Sequence, residues 1–204
     1  MGPGDLPDEV YYPRMAQVEH MNSQDRASLD PLSDFDGEVL SVAEVKEMRL
    51  PPGWLRSASK ERQEEKIYSY ELFHLKDRPD VMLWFYYRGY KLGESASNNL
   101  RECLGKPPHV ILPAELKGLS DVIRDKSDPD DFKISGAHTE SLNGKTVLVV
   151  EGRYVEAQED AYTVYVDADG TGSVVRELHY RAPKLDYPRF LRDAKRSFQS
   201  IVWK

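Results

Sequence analysis

The most regular alternation of apolar and polar positions begins at Ile67. The stretch IYSYELFHL is rich in aromatic and β-branched residues, KDRPD has the composition of a turn, and VMLWFYYRGY is again typical of a strand. If Lys76 pairs with Asp80, one face of this hairpin carries the pairs Leu72–Trp84, Tyr70–Tyr86 and Tyr68–Arg88, and the other carries Phe73–Leu83 and Leu75–Val81. Because both faces are apolar or aromatic, we predict that the hairpin is covered on both sides.

A helical period follows, and then a second β region. SASNNLRECL can begin at a serine cap and stops at Gly105, and PAELKGLSDVIRD has proline in its first turn, which predicts two short helices. Beyond Phe132 the chain alternates again. Asn143-Gly144 and Asp169-Gly170 are strong hairpin signals because both residue pairs tolerate positive φ. The pattern predicts a meander of about four strands.

The two ends of the chain differ in periodicity. DYPRFLRDAKRSFQSIVWK places its apolar residues on one side of a helix, namely Phe190, Leu191, Ala194, Phe198, Ile201 and Val202. Near the other end, SVAE (Ser41 to Glu44) fits a capping box and predicts a short helix to about Arg49, which LPPGW ends. Residues 1–37 show no sustained period of 2 or 3.6, so we predict an extended or disordered arm.

Together these elements predict a single α+β domain over residues 38–204. Its centre is an antiparallel β-sheet of about six strands flanked by helices, with a C-terminal amphipathic helix. A length of 204 residues suits one domain of this kind.

Composition and charge exclude several classes of protein. A formal net charge of -7 argues against a nucleic-acid binder, which would neutralise phosphates with clustered basic residues. No run approaches the roughly 20 apolar residues of a membrane span, so no membrane insertion is expected. The first thirty residues lack the basic start and apolar stretch of an export signal, which predicts a cytoplasmic protein, or an exported one if a native leader had been removed.

The stretch YVDADGTGSVVREL could be read as a calcium-binding loop. Asp167, Asp169, Thr171 and Gly172 fit the first half of an EF-hand, but the glutamate stands one place before the twelfth position. An EF-hand also needs helices on both sides, whereas the flanking AYTVYV and SVVRELHY have the composition of strands. We therefore predict that residues 167–172 form the tip of a hairpin with no ordered cation.

No catalytic, cofactor or metal signature is present elsewhere. The five histidines have no ligand spacing, and no GxSxG, GxxxxGK[ST] or GxGxxG occurs. The lone Cys103 excludes an intrachain disulfide and a Cys-rich zinc site, and it could act with His109 as nucleophile and base only if the fold brought the two together. We predict no catalytic residues, no cofactor and no metal.

The first hairpin concentrates the side chains that dominate binding surfaces. Tyr68, Tyr70, Trp84, Tyr86 and Arg88, with Tyr90 beyond them, would form a ladder able to stack on a planar ligand or anchor a peptide. The same residues could instead fill the seam between the sheet and a covering helix, and both interpretations stay open here. An enzyme would have to draw on Glu71, His74 and Arg88, although the pairing places Glu71 on the opposite face from the other two.

From the LPPGW entry to the helix carrying FLRDAKRSFQSIVW, residues 39 to 204 resemble the PsbP/Mog1/DcrB-like superfamily in the order of their elements. The resemblance implies an antiparallel sheet sandwiched between helices. Members are mostly non-catalytic accessory modules, including lumenal photosystem subunits, a binder of a small GTPase and chaperones for secreted effectors. The resemblance therefore implies a non-catalytic accessory protein that engages a protein or peptide partner, and it supplies no functional residue. The alternative is a hydrolase or transferase with dispersed catalytic residues.

Overall fold

The computed structural model describes residues 38–57, 70–167 and 169–204. The predicted N-terminal arm, residues 1–37, and the predicted site residue Tyr68 lie outside these ranges. Both remain predictions from the sequence.

The described residues form two antiparallel β-sheets. The strands are β1 (Val39–Val42), β2 (Val45–Arg49), β3 (Trp54–Arg56), β4 (Glu71–Leu75), β5 (Arg78–Lys91), β6 (Phe132–Leu142), β7 (Lys145–Tyr154), β8 (Glu159–Asp167), β9 (Val174–Pro183) and β10 (Val202–Trp203). The large sheet has seven strands in the order β3-β4-β5-β9-β8-β7-β6, and the small sheet has three in the order β1-β2-β10. The predicted α+β class, meander and sheet are therefore confirmed.

Helices occupy the two places where the sequence has a helical period. They are α1 (Glu94–Gly105), α2 (Pro113–Gly118), α3 (Ser120–Ile123) and α4 (Tyr187–Gln199), and a 3-10 turn (Arg124–Ser127) follows α3. Helix α1 ends at Gly105, and α2 has proline in its first turn, as the sequence predicts.

The first hairpin has the predicted register along most of its length. Leu72 pairs with Trp84 and Phe73 with Leu83, but Leu75 pairs with Arg78 instead of Val81. Pro79 lies in the resulting irregularity, and its lack of a backbone N–H makes a regular ladder impossible at that point.

The predicted helix from Ser41 to about Arg49 is wrong, because β1 and β2 form a hairpin there that turns at Ala43 with a φ of 50°. The predicted end of the C-terminal helix is wrong for a linked reason. Helix α4 stops at Gln199, and Val202 belongs to β10, which pairs with β2. The local capping pattern at Ser41 favours a helix, but tertiary pairing outweighs this preference. In the small sheet, β2 buries Val45 completely.

The two faces of the large sheet are covered differently. The α4 face, which carries Leu83, Val164 and Leu178, packs against α4 and the small sheet in one continuous core. The aromatic face, which carries Trp84 and His179, is covered by α1 to α3 over parts of β6 to β9 and at the Tyr90 end of β5. The members of this second core include Leu100, Val122, Ile123, Leu148, Val150, Tyr165 and Val175.

Within the described residues, the predicted cover of the first hairpin is found over one side and over only part of the other. Phe73, Leu83 and Phe85 are buried on the α4 face, whereas Leu72 and Trp84 are only half-buried on the aromatic face. Among the described residues, α1 to α3 reach the far end of β5 at Tyr90 and do not extend over β4.

Candidate functional site

A row of aromatic rings crosses the aromatic face of the large sheet. Strands β5 and β9 are neighbours, and their register places Trp84 opposite His179, with ring centroids 5.2 Å apart. Tyr154, on β7, lies 6.1 Å from His179, and Tyr70 lies 5.5 Å from Tyr86. We call these five side chains, Tyr70, Trp84, Tyr86, Tyr154 and His179, the aromatic row.

Three of the residues singled out from the sequence lie in this row. Tyr70, Trp84 and Tyr86 are half-buried, and Trp84 belongs to neither of the two core clusters among the described residues. Arg88 is exposed at an irregularity of β5, where the pairing with β9 shifts between Tyr86 and Tyr90. The site assignment itself stays a prediction.

Tyr90 does not continue the predicted ladder. Its hydroxyl donates to the carbonyl of Val122, and the guanidinium of Arg124 lies 3.2 Å from its ring centroid. The register of β5 with β9 shifts by two residues between Tyr86 and Tyr90, and the helices cover this end of β5. Gly89 makes the shift possible, because its φ of +64° and its close approach to the Val175 carbonyl leave no room for a side chain.

Sequence reasoning missed Tyr154 and His179, which come from strands β7 and β9. The alternation of β9 places His179 and Arg181 on one face, so a signal existed. What the sequence lacks is the pairing of β5 with β9, which brings His179 beside Trp84 although more than 90 positions separate the two.

The row ends at an open cleft with a volume of about 420 Å³, lined by Asp125, Asp131, Tyr154, Glu156, Ala157 and Arg181. The guanidinium of Arg181 lies 4.5 Å from the Tyr154 ring centroid and is ion-paired with Glu159. The Tyr154 hydroxyl donates to Asp125 Oδ2 over 3.0 Å. Three of the lining side chains are acidic and one is basic, so the cleft favours a cationic group.

Buried charges support the row from the side of the helices. Lys126 is 2% exposed, and its Nζ lies within 6.0 Å of the ring centroids of Phe132, Tyr154 and Tyr165. Burial raises the pKa of Glu177, and the positive charge of Lys126 opposes that shift. The Lys126 ammonium is also ion-paired with Asp125, its Nζ lying 3.3 Å from Asp125 Oδ1, and the surrounding rings add a favourable cation–π contribution.

His179 and Tyr154 of the row stay uncharged near neutral pH. Burial lowers the pKa of His179 well below its usual value, and Lys126 and Arg181 lower it further. Its Nδ1 lies 2.7 Å from Thr163 Oγ1. Burial raises the pKa of Tyr154 far above its usual value, so its hydroxyl remains a donor. The row thus offers ring faces and hydroxyls without charge, which suits stacking and hydrogen bonding.

The residues of the enzyme alternative are not brought together. Glu71 is buried on the α4 face, where its Oε1 lies 2.6 Å from Arg56 Nη2. His74 points to the other face, with its Nδ1 3.2 Å from Ser57 Oγ. Glu71 and His74 therefore share no site, as the strand pairing predicted.

Cys103 and His109 do come together. Their ligand atoms and a carboxylate oxygen of Glu115 all lie within 4.8 Å of one another. Burial raises the pKa of the Cys103 thiol to about 11, so the thiol is protonated near neutral pH and is a weak nucleophile.

The loop from Asp167 is flanked by strands β8 and β9, as predicted. The Asp167 carboxylate accepts hydrogen bonds from the backbone N–H groups of Gly170 and Gly172, at 3.1 and 2.9 Å. Asp169 Oδ1 accepts from the N–H and the hydroxyl of Thr171. The acidic side chains of this turn therefore serve to fold it.

Within the described ranges, no helix combines the length and apolar character needed to cross a membrane.

No family model matches the sequence, and no curated protein matches it either. Among solved structures, the chain is similar to the solution structure of cyanobacterial PsbP (CyanoP) from Synechocystis sp. PCC 6803. The two are 11% identical, the match covers 82% of this chain and 94% of that chain, and the TM-score is 0.47. The likeness concerns the arrangement of the elements alone.

Proposed function

We propose that this protein is a non-catalytic accessory protein that binds an extended segment of a partner protein along the aromatic row. The observation that carries the proposal is the half-buried state of Tyr70, Trp84 and Tyr86 on a sheet face that the described helices leave partly open. Large rings held in fixed positions and still reachable by solvent are the usual anchors of protein interfaces.

The chemistry of the surface defines the segment it would bind. The rings of Trp84 and Tyr86 favour apolar or aromatic side chains, and the acidic cleft beside Tyr154 favours a lysine or arginine. We therefore propose a partner segment that carries apolar residues followed by a basic one. A cytoplasmic location, predicted from the composition of the first thirty residues, belongs to the same proposal.

Selection from a library of random peptides tests this function without a known partner. Peptides that bind the intact protein should combine aromatic or aliphatic residues with a basic residue. On titration, a synthetic peptide of this type should shift the NMR signals of Trp84, His179 and Tyr154. Signals of Phe190, on α4 behind the sheet, should stay unchanged.

A charge variant separates binding at the cleft from general attraction to an acidic protein. Asp131→Asn and Glu156→Gln together remove two charges at the cleft and should weaken a peptide with a basic residue about threefold to tenfold, while a variant peptide with glutamine in that place should lose nothing. Selection of no peptide, or signal shifts confined to the α4 face, would contradict the proposal.

A further inference from the structure

A second group of side chains converges away from the aromatic row, where α1, the following loop and α2 meet. Cys103 lies in the last turn of α1, His109 in the loop and Glu115 in the first turn of α2. Their ligand atoms lie within 4.8 Å of one another, which no other group of three such residues achieves within the described ranges. We infer that these three side chains form a zinc site with an open fourth position.

The spacing of the donor atoms suits a zinc ion. His109 Nε2 lies 3.3 Å from Glu115 Oε1. Two ligands at about 2.0 to 2.1 Å from a tetrahedral zinc ion are separated by roughly 3.3 Å. One sulfur, one imidazole nitrogen and one carboxylate oxygen form a mixed set, which a borderline ion such as Zn²⁺ accepts and the hard ions Mg²⁺ and Ca²⁺ do not.

The histidine is held in the orientation that coordination needs. Its Nδ1 lies 2.8 Å from the carbonyl oxygen of Pro107, which can only accept, so Nδ1 carries the proton of the neutral ring. Thr139 Oγ1 lies 3.1 Å from the same nitrogen and also accepts from the His109 backbone N–H. The Nε2 lone pair therefore faces the Glu115 carboxylate, an arrangement that a cation between them stabilises.

In the structure, the ammonium group of Lys106 supplies positive charge beside the Glu115 carboxylate. Lys106 Nζ lies 2.9 Å from Glu115 Oε1 and 3.5 Å from Glu102 Oε1. When zinc binds, the thiol proton of Cys103 passes to solvent and the lysine head moves toward Glu102. Lys106 is thus a competitor of the ion, and its removal should strengthen zinc binding.

Cobalt titration of the metal-stripped full chain tests the site, since Co²⁺ replaces Zn²⁺ and reports a thiolate ligand through a charge-transfer band in the near ultraviolet. We expect one Co²⁺ per chain, displaced by Zn²⁺, with that band. Cys103→Ala should abolish the band. His109→Ala and Glu115→Gln should each weaken binding by about 100-fold, at or above the effect of losing an outer-shell partner. Lys106→Gln should tighten binding by up to about fivefold.

His138→Ala is the matched control, because His138 is a nearby histidine on β6 outside the cluster. It should leave Co²⁺ binding unchanged. His109 and Glu115 are partly exposed, so their variants keep the fold even if Cys103→Ala does not, and circular dichroism verifies this. A spectrum without the thiolate band, or equal losses in the His109 and His138 variants, would overturn the site.

Discussion

The two faces of the large sheet are built from alternate residues of the same strands and yet serve different ends. On β5, Leu83 is 1% exposed beneath α4 and the small sheet, whereas its neighbour Trp84 is half-buried beside His179. The α4 face excludes water along its length. The aromatic face is packed where α1 to α3 lie, and its remaining rings contact one another in tilted or edge-on pairs.

This contrast separates side chains that stabilise the fold from side chains that are available to a partner. A residue on the α4 face contributes its burial to stability, and its loss leaves a cavity. Trp84 and the three tyrosines of the aromatic row keep part of their apolar surface in water, and that surface can still be buried by binding, whereas His179 is buried beneath them. The predictions below test whether the two faces differ in this way.

The largest effect is expected from a matched pair on β5. Leu83→Ala, on the α4 face, should lower the free energy of unfolding by about 2 to 5 kcal/mol because it opens a cavity in the core. Met82→Ala removes a side chain of similar size on the aromatic face and should cost about 1 kcal/mol or less. Urea unfolding of both variants gives the comparison, and equal losses would show that the faces are equally buried.

The next effect is a pH dependence that belongs to the aromatic face. The pKa of His179 is lowered by burial and by two neighbouring cations, whereas in the unfolded chain it should be about 6.5. Below that pH the unfolded chain binds a proton that the folded protein does not. The free energy of unfolding therefore decreases as the pH is lowered, by up to about 1.4 kcal/mol per pH unit. Above it the contribution is fully present.

His179→Gln should remove this slope between about pH 6.5 and pH 5. Glu177, whose pKa is raised by burial, acts in the opposite direction, since its contribution is lost as pH rises through the raised pKa. Glu177 is present both in the natural chain and in the His179→Gln variant, so the difference between their urea midpoints at each pH reports the contribution of His179. A variant that keeps the full acid slope would show that His179 is solvated in the folded state.

The smallest effect is expected at the turn that joins β8 and β9, strands that contribute to both faces. Asp167→Ala removes the acceptor of two backbone hydrogen bonds and should cost about 1 kcal/mol. Calcium should not change the melting temperature of the natural chain, because these carboxylates already hold the turn. A calcium-dependent rise that Asp167→Ala abolishes would mean that the turn is a cation site.

Much of this fold could be predicted because its signals are local. The Asn143-Gly144 and Asp169-Gly170 turns indicated the meander of strands, and the alternation around Leu72 and Trp84 indicated most of the register between β4 and β5. The hairpin of β1 and β2 could not be predicted. The capping-box pattern at Ser41 indicates a helix, whereas the structure pairs β2 with β10, which lies about 150 positions later in the sequence. Pairing over such separations leaves no local pattern.

The candidate site divides in the same way. Tyr70, Trp84 and Tyr86 stand out in one short stretch of sequence. His179 joins them through the pairing of β5 with β9, and Tyr154 through the further pairing of β9 with β8 and of β8 with β7. The extent to which helices cover the β4–β5 hairpin could not be predicted, because apolar composition on both faces of a hairpin does not show how far the helices reach. Cys103 and His109 were considered from the sequence only as a nucleophile and a base, and Glu115 was not linked to them, because the spacing of the three matches no known ligand pattern.

The central claim is that the aromatic row binds a partner and the α4 face does not, and one pair of tryptophan variants tests it most directly. Trp84 lies in the row, and Trp203 is a partly buried tryptophan that packs against the core of the α4 face. For a peptide selected on the natural chain, Trp84→Ala should weaken binding about thirtyfold, or about 2 kcal/mol, while the protein remains folded. Trp203→Ala should leave the affinity within about twofold, since Trp203 lies on the α4 side of the sheet, outside the proposed interface. Equal affinities for the two variants, or a loss of binding by Trp84→Ala that only follows its unfolding, would contradict the account.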